Sequence, residues 1–254
     1  MKEIHIHTTM ADGVASVVLD HPPVNVLTRA MLAELRSALD RLAADRELRV
    51  LVLAAAGKHF SAGADVAEHM PPVYRDMIPE FVDTVAALAA FPLPTIAAVQ
   101  GRCLGGGFEL VQAVDLVVAA EGAAFGQPEI KLGVFPPAGC VLLPGMGLGG
   151  LAADVLYTGD PVDAAAALQA GLVRQVVPAD RLEAAAAELA GRIACHSAAA
   201  LRLTKQCVRE ALTTQKQALE HAGRLYSANM MATEDAVAGL TAFLQKRQPA
   251  WRHR

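Results

Sequence analysis

The chemically suggestive residues of this sequence gather around one short run, Gly101-Arg-Cys-Leu-Gly-Gly-Gly-Phe-Glu109. An apolar, strand-like stretch (Thr95–Val99) precedes it and a helix-like one (Phe108–Ala113) follows. Glycine permits backbone angles that a Cβ forbids and lets another group approach closely. The first N–H groups of a helix have no partner inside the helix and carry partial positive charge. Gly105, Gly106 and Gly107 at such a junction therefore suit an anion. Glu109 follows within a turn, and a second carboxylate, Glu129, stands in Phe-Gly-Gln-Pro-Glu. Another loop, Ser61-Ala-Gly-Ala-Asp65, follows a second apolar run, Val50–Leu53. Ends of neighbouring strands in an α/β sheet are the usual place for a site. One main-chain N–H from each loop would make an oxyanion hole, where a single donor is typically worth about 10²–10³ in rate. The two glutamates then suit proton transfer. The competing reading is structural: glycines that admit close helix packing, beside solvated glutamates. The residues alone leave both readings open.

Other constellations are weaker. Gly145-Met-Gly147-Leu-Gly149-Gly150 matches the dinucleotide pattern G-x-G-x-x-G, but Pro144 breaks the preceding apolar run and no acidic ribose partner is evident. His59, Asp65 and His69 lack the spacing of a metal site, so no metal is expected. Ser61 is not in a Gly-x-Ser-x-Gly setting, and Cys103, the better thiol candidate, has no histidine near it in sequence.

Elements that alternate along the chain must position these residues. Residues 2–20 read as a hairpin turning at Asp12-Gly13, with Ile4 and Ile6 alternating with polar residues. Thr28 caps a helix whose apolar face is Leu32, Leu35, Leu39 and Leu42. Val50–Leu53 reads as a buried strand. A helix with Phe81, Val85, Leu88 and Phe91 on one side ends at Pro92 and Pro94, and the strand Thr95–Val99 follows. Strands at Leu116–Val118 and Leu172–Val177 and a helix around Leu151–Tyr157 continue the alternation, which implies an α/β core with parallel strands. Composition changes near Pro178: 17 of the 20 glycines precede it, and no proline occurs from 179 to 248. Helices are expected over Leu182–Ile193, Ala198–Leu212, Gln215–Asn229 and Asp235–Gln245, with Ser197 and Thr233 as caps. That helical tail needs the core or another subunit to pack on.

The totals exclude several classes. A chain of 254 residues, 54% hydrophobic and 19% charged, buries a substantial core and is not disordered. A formal charge of -4 and 4% aromatics argue against nucleic-acid binding. The four cysteines form no Cys-x-x-Cys pair. The N-terminus lacks a signal-type apolar region, and no apolar run reaches the ~18 residues that span a bilayer, so a cytoplasmic location away from membranes is expected.

Taken together, His59-Phe-Ser-Ala-Gly-Ala-Asp65, Gly101–Glu109, Phe125-Gly-Gln-Pro-Glu-Ile130, Tyr157-Thr-Gly-Asp160, Ala170-Gly-Leu-Val173 and Thr241-Ala-Phe-Leu-Gln-Lys-Arg247 resemble the enoyl-CoA hydratase/isomerase (crotonase) superfamily, in the family's order and along nearly the whole chain. The resemblance implies a crotonase-like α/β spiral of ββα units over residues 1–195. It also implies a C-terminal helical region, 196–254, that builds homotrimers, often paired into hexamers. The implied substrate is an acyl-CoA thioester, with coenzyme A part of that substrate rather than a separate cofactor. By position the oxyanion hole would be the N–H groups of Ala64 and Gly106, and the acid/base residues Glu109 and Glu129. Ala62, Asp65 and Val66 fall where the family's main chain lines CoA, and Phe243 and Lys246 where a neighbouring subunit's last helix often closes over it. Both glutamates together favour hydration, with a double-bond isomerase or another enzyme of the family as the alternative. Glu68-His-Met-Pro71, Leu132–Cys140 and Lys246-Arg-Gln-Pro-Ala-Trp251 further resemble the cyclohexa-1,5-dienecarbonyl-CoA hydratases of anaerobic aromatic degradation.

Overall fold

The structure, a computed structural model, describes residues 5–210 and 214–250. Ile4 of the expected hairpin, the expected helix end at Leu212, and Trp251 lie outside the described residues. Strands β1 (Ile6–Ala11) and β2 (Val14–Leu19) form the hairpin, and Asp12 and Gly13 both take positive φ at its turn, as a two-residue primed turn requires. Helix α1 (Arg29–Ala44) starts at Thr28, whose hydroxyl accepts from Met31 N. Then come β3 (Val50–Ala55), a 3-10 turn (Val66–His69), α2 (Tyr74–Ala89), β4 (Thr95–Val99), β5 (Arg102–Leu104) and α3 (Gly106–Gln112). Next are β6 (Leu116–Ala120), β7 (Ala124–Gly126), a 3-10 turn (Pro128–Leu132), α4 (Gly139–Gly145) and α5 (Gly149–Thr158). Strands β8 (Val162–Asp163) and β9 (Gln175–Val177) flank α6 (Ala164–Ala170). Helices α7 (Leu182–Ala194), α8 (Ala198–Glu210), α9 (Thr214–Ala228) and α10 (Glu234–Leu244) complete the chain.

A six-stranded sheet runs β1-β2-β3-β4-β6-β9, parallel from β2 onward, and a small sheet runs β5-β7-β8. The turns that begin with β4 and β6 each place one strand in the large sheet, one in the small sheet, and then a helix. This is the ββα spiral, as in β4–β5–α3. In the turn that begins with β3, the second strand shrinks to two isolated bridges, Ser61 to Cys103 and Ala64 to Leu27. Side chains alternate across the central strands. Val50, Val52, Ile96, Ala98, Val118 and Ala120 pack against Leu182, Ala186 and Leu189 of α7. Leu51, Leu53, Ala97, Val99, Val117 and Ala119 face the main core with α1 and α2. Burial on both faces explains why these strands read as unbroken apolar runs.

Two departures from expectation have local causes. The strand expected from Leu172 begins at Gln175, because Gly171 takes φ +88 and ends α6, and Leu172 N and Val173 N both turn back to Ala167 O. The helix expected from Phe108 begins at Gly106, directly after the Gly105 turn. The C-terminal helices pack on this chain's own core: α9 against α2 and α4, and α10 against both 3-10 turns named above. Lys205 of α8 is buried in an ion pair with Asp115, whose other oxygen accepts from Thr95 N and Oγ1 at 2.8 and 2.9 Å. Among the described residues no helix is long and apolar enough to cross a membrane.

Candidate active site

The loops after β3 and β4 are stitched together by main-chain bonds. Ser61 N donates to Arg102 O (3.1 Å) and Leu104 N to Ser61 O (3.0 Å), while Gly105 N ties the second loop to β7 by donating to Gly126 O (2.9 Å). Gly107 permits this closeness, since a Cβ there would sit 2.5 Å from Ser61 Cβ. Ser61 itself is fully buried; its hydroxyl donates to Asn25 O (2.7 Å) and accepts from Gly63 N (3.1 Å), which makes it a loop brace rather than a nucleophile. The stitching brings Ala64 N beside Gly106, with 3.3 Å between that nitrogen and the point where a Gly106 Cβ would stand. Neither Ala64 N nor Gly106 N donates to any group among the described residues. Gly106 is the first residue of α3, so its N–H is one of the donors a helix leaves free. Two free donors side by side suit one partially negative oxygen.

Glu109, in the first turn of α3, is 2% exposed. Its Oε1 accepts from Ala138 N (2.7 Å) and Gly139 N (2.8 Å), where α4 begins. Burial raises its pKa and the two N–H donors oppose this, leaving it at about 7. Glu129 stands in the first turn of the Pro128–Leu132 3-10 helix and keeps a partial opening to solvent. The dense surroundings of its carboxyl, and then the charge of Glu109, push its pKa well above the usual carboxylate range. Gly105 makes room for this carboxyl: it adopts φ +53, ψ -131, and a Cβ there would lie 2.7 Å from Glu129 Oε1. The site thus pairs two proton-holding carboxyls with two unused N–H donors.

The remaining expected residues divide by location. Asp65 N and Ala62 N are used by the Leu27 and Val24 carbonyls at 3.0 and 2.9 Å. The Asp65 carboxylate caps the 3-10 turn by accepting from Ala67 N, and Val66 is that turn's first residue. Phe243 is exposed near the end of α10, and Lys246 is exposed just beyond it with φ +53. The weaker constellations dissolve on inspection. Cys103 is fully buried and burial holds its thiol well above the usual range. His59 Nδ1 accepts from Arg102 N, His69 Nδ1 bonds Asp65 O, and no group of metal-capable side chains converges among the described residues. Gly145 ends α4 and Gly149 begins α5, so the G-x-G-x-x-G run follows a helix rather than a strand.

Three residues of the site escaped the sequence reading. With the Gln127 amide oriented so that its oxygen accepts from Gln112 Nε2 (2.7 Å), its nitrogen faces the Glu129 oxygens at 3.1 and 3.2 Å and Gly105 O at 3.3 Å. Both glutamines are buried. The third is Tyr226 of α9, buried to 1% exposure, whose ring meets Phe135 edge-on with centroids 5.3 Å apart. The one signal for Gln112 was a polar residue inside the apolar stretch Leu110–Val114; nothing marked Tyr226.

The spiral sheet thus brings two free N–H donors and two carboxyls of raised pKa to one place, an arrangement chemically suited to proton transfer beside an oxygen that gains negative charge. The sequence pattern of the family described as "Enoyl-CoA hydratase/isomerase" matches residues 9–254, and the chain belongs to that family. It is 40% identical over 237 residues to the cyclohexa-1,5-dienecarbonyl-CoA hydratase of Thauera aromatica, covering 93% of this chain and 92% of the relative. It is 39% identical over 236 residues to the 2,3-dehydroadipyl-CoA hydratase of Escherichia coli, covering 91% of each. Among solved structures, an enoyl-CoA hydratase from Mycobacterium avium subsp. paratuberculosis superposes with a TM-score of 0.85 at 32% identity, covering 97% of this chain and 98% of the other.

Proposed function

We propose that this protein is a hydro-lyase that adds water to, or removes it from, an α,β-unsaturated acyl-CoA thioester. The observation that carries the reading is the pairing of Glu109 and Glu129, both with raised pKa, beside the unused N–H groups of Ala64 and Gly106. As water attacks the β carbon, electrons move onto the thioester oxygen and form an enolate. Ala64 N–H and Gly106 N–H hold that oxygen and stabilise it as its charge grows. One carboxylate takes a proton from the water while the other carboxyl gives one to the α carbon, so the pair ends with the same number of protons. Two carboxyls that cannot both ionise at neutral pH are suited to this exchange. Coenzyme A enters as part of the substrate and no separate cofactor takes part. Ala62, Asp65 and Val66 would line the CoA, with Phe243 and Lys246 closing over it within a homotrimer or hexamer in the cytoplasm.

For the acyl group, we favour cyclohexa-1,5-diene-1-carbonyl-CoA. The Thauera aromatica relative and the unusual Pro136-Pro-Ala-Gly-Cys140 segment, whose N–H groups grip Glu109, support this choice. The test is a panel of crotonyl-CoA, 2,3-dehydroadipyl-CoA and cyclohexa-1,5-dienecarbonyl-CoA, followed by loss of the conjugated absorbance in ¹⁸O-water. Fastest turnover of the dienoyl ester, with ¹⁸O in the product, is expected. Double-bond movement without label would make the protein an isomerase. Unchanged turnover in both Glu109→Gln and Glu129→Gln would end the acid/base assignment.

A further inference from the structure

Tyr226 is a buried side chain near this site that the proposed reaction leaves unexplained. Its ring lies edge-on to Phe135 and to His69, with centroids 5.3 and 6.1 Å away. These neighbours come from the two segments that build the site. His69 ends the 3-10 turn following Ala64, and Phe135 lies between Glu129 and the Ala138–Gly139 pair that grips Glu109. The phenol oxygen is shut away from solvent and has no hydrogen-bond partner among the described residues. A buried tyrosine hydroxyl normally finds a partner, and an unmade bond on a buried polar group is costly. Burial, and then the charges of Glu129 and Glu109, hold the proton on this oxygen. Tyr226 is therefore a neutral O–H donor close enough to feel both carboxylates without bonding to either.

We infer that the Tyr226 hydroxyl is a specificity-determining group of the acyl pocket: it donates a hydrogen bond to an oxygen borne by the acyl part of the ligand, so that the site prefers hydroxyacyl-CoA thioesters to their deoxy counterparts. The choice of ligand rests on the hydratase reading, in which the oxygen is the one that water installs. The placement suits that atom, because Phe135, against which the phenol ring packs, stands in the segment between Glu129 and the Ala138–Gly139 pair that grips Glu109. Packing alone would be served equally well by phenylalanine, which fills the same space without a stranded hydroxyl.

The test is Tyr226→Phe, with binding measured by calorimetry for two matched pairs: 3-hydroxybutyryl-CoA against butyryl-CoA, and 2-hydroxycyclohexanecarbonyl-CoA against cyclohexanecarbonyl-CoA. The variant is expected to lose about fivefold to tenfold in affinity for at least one hydroxyacyl ester, the size of one net hydrogen bond, with its deoxy partner within twofold. Its ligand-free melting temperature should equal or exceed that of the parent, since the stranded hydroxyl is gone. Equal losses within each pair, no loss in either pair, or a lower ligand-free melting temperature would overturn the assignment; the last result would mean that the hydroxyl is satisfied by protein. Because binding needs no turnover, the two readings fail separately. A parent that hydrates no enoyl-CoA yet discriminates through Tyr226 refutes the hydratase, and a working hydratase without this discrimination refutes only the tyrosine.

Discussion

Replacing Glu109 with glutamine should make the protein inactive and, above neutral pH, more stable. The amide keeps an oxygen for Ala138 N and Gly139 N, so the grip at the start of α4 survives. What disappears is a buried carboxylate. In the folded chain Glu109 titrates at about 7 rather than 4.5, chiefly because burial disfavours its charge. A carboxyl that holds its proton more tightly when folded contributes stability below the lower value, and that contribution is lost as pH rises through the higher one. From 4.5 to about 7, at about 1.36 kcal/mol per pH unit, the full loss is about 3 kcal/mol. About 2.5 kcal/mol of it falls between pH 5 and pH 8. Removing the Glu109 charge also relieves Glu129, whose pKa it helps to raise, and this adds in the same direction. Urea unfolding of parent and variant at pH 5 and pH 8, at one fixed protomer concentration, reads the effect directly. The variant's advantage should grow by about 2.5 kcal/mol between those pH values. An advantage that stays constant, or shrinks, would refute the claim that this carboxyl is buried at a cost in order to hold a proton.

Three further perturbations probe the surroundings. Gly105→Ala should cost about 1–3 kcal/mol for its backbone and push the Glu129 carboxyl aside, so turnover should fall about 100-fold while acyl-CoA affinity stays within a few fold; steady-state kinetics and ligand titration check both, and near-normal turnover would contradict the 2.7 Å approach. Gln127→Met removes the N–H donor that faces both Glu129 oxygens. Loss of a donor to the charged form raises a carboxyl pKa, so whichever limb of the kcat/KM profile Glu129 carries should move to higher pH; an unmoved limb would count against the bond. Lys205→Met leaves Asp115 with only its Thr95 donors. Breaking this buried pair should destabilise by about 2 kcal/mol, below the usual range for buried pairs because Asp115 is partly exposed; turnover should remain within twofold, which unfolding and rate measurements on one preparation decide.

The sequence disclosed what is local. Thr28 and the Leu32–Leu42 spacing specify α1 because cap and amphipathic face lie within one segment. The runs at Val50, Thr95 and Leu116 specify central strands because both their faces are buried, leaving no polar positions to interrupt them. The second strands of the turns that begin with β3, β4 and β6 were not legible. At three residues in β5 and β7, and isolated bridges at Ser61 and Ala64, no period can build up. The ladder there is held by hydrogen bonds to distant segments, such as Gly105 N to Gly126 O.

The same division separates the two halves of the site. The glycine run announced free N–H groups because helix geometry dictates them at any helix start. No comparable rule fixes the protonation of Glu109. It depends on Ala138 and Gly139, some thirty positions away, whose N–H groups partly offset the cost of burial. Glu129 depends on Gly105 lacking a Cβ and on a glutamine contact across from α3. A motif therefore identifies which carboxyls are present, whereas their proton affinities belong to the packing between motifs. In this chain that packing is done by the Phe135–Gly139 segment and α9: the segment brings Ala138 N and Gly139 N to Glu109, and Tyr226 of α9 packs against Phe135. Specificity for the acyl group should accordingly respond to substitutions in that segment and helix more than to changes in the glycine run, whose N–H groups would hold the same thioester oxygen in every substrate of the class.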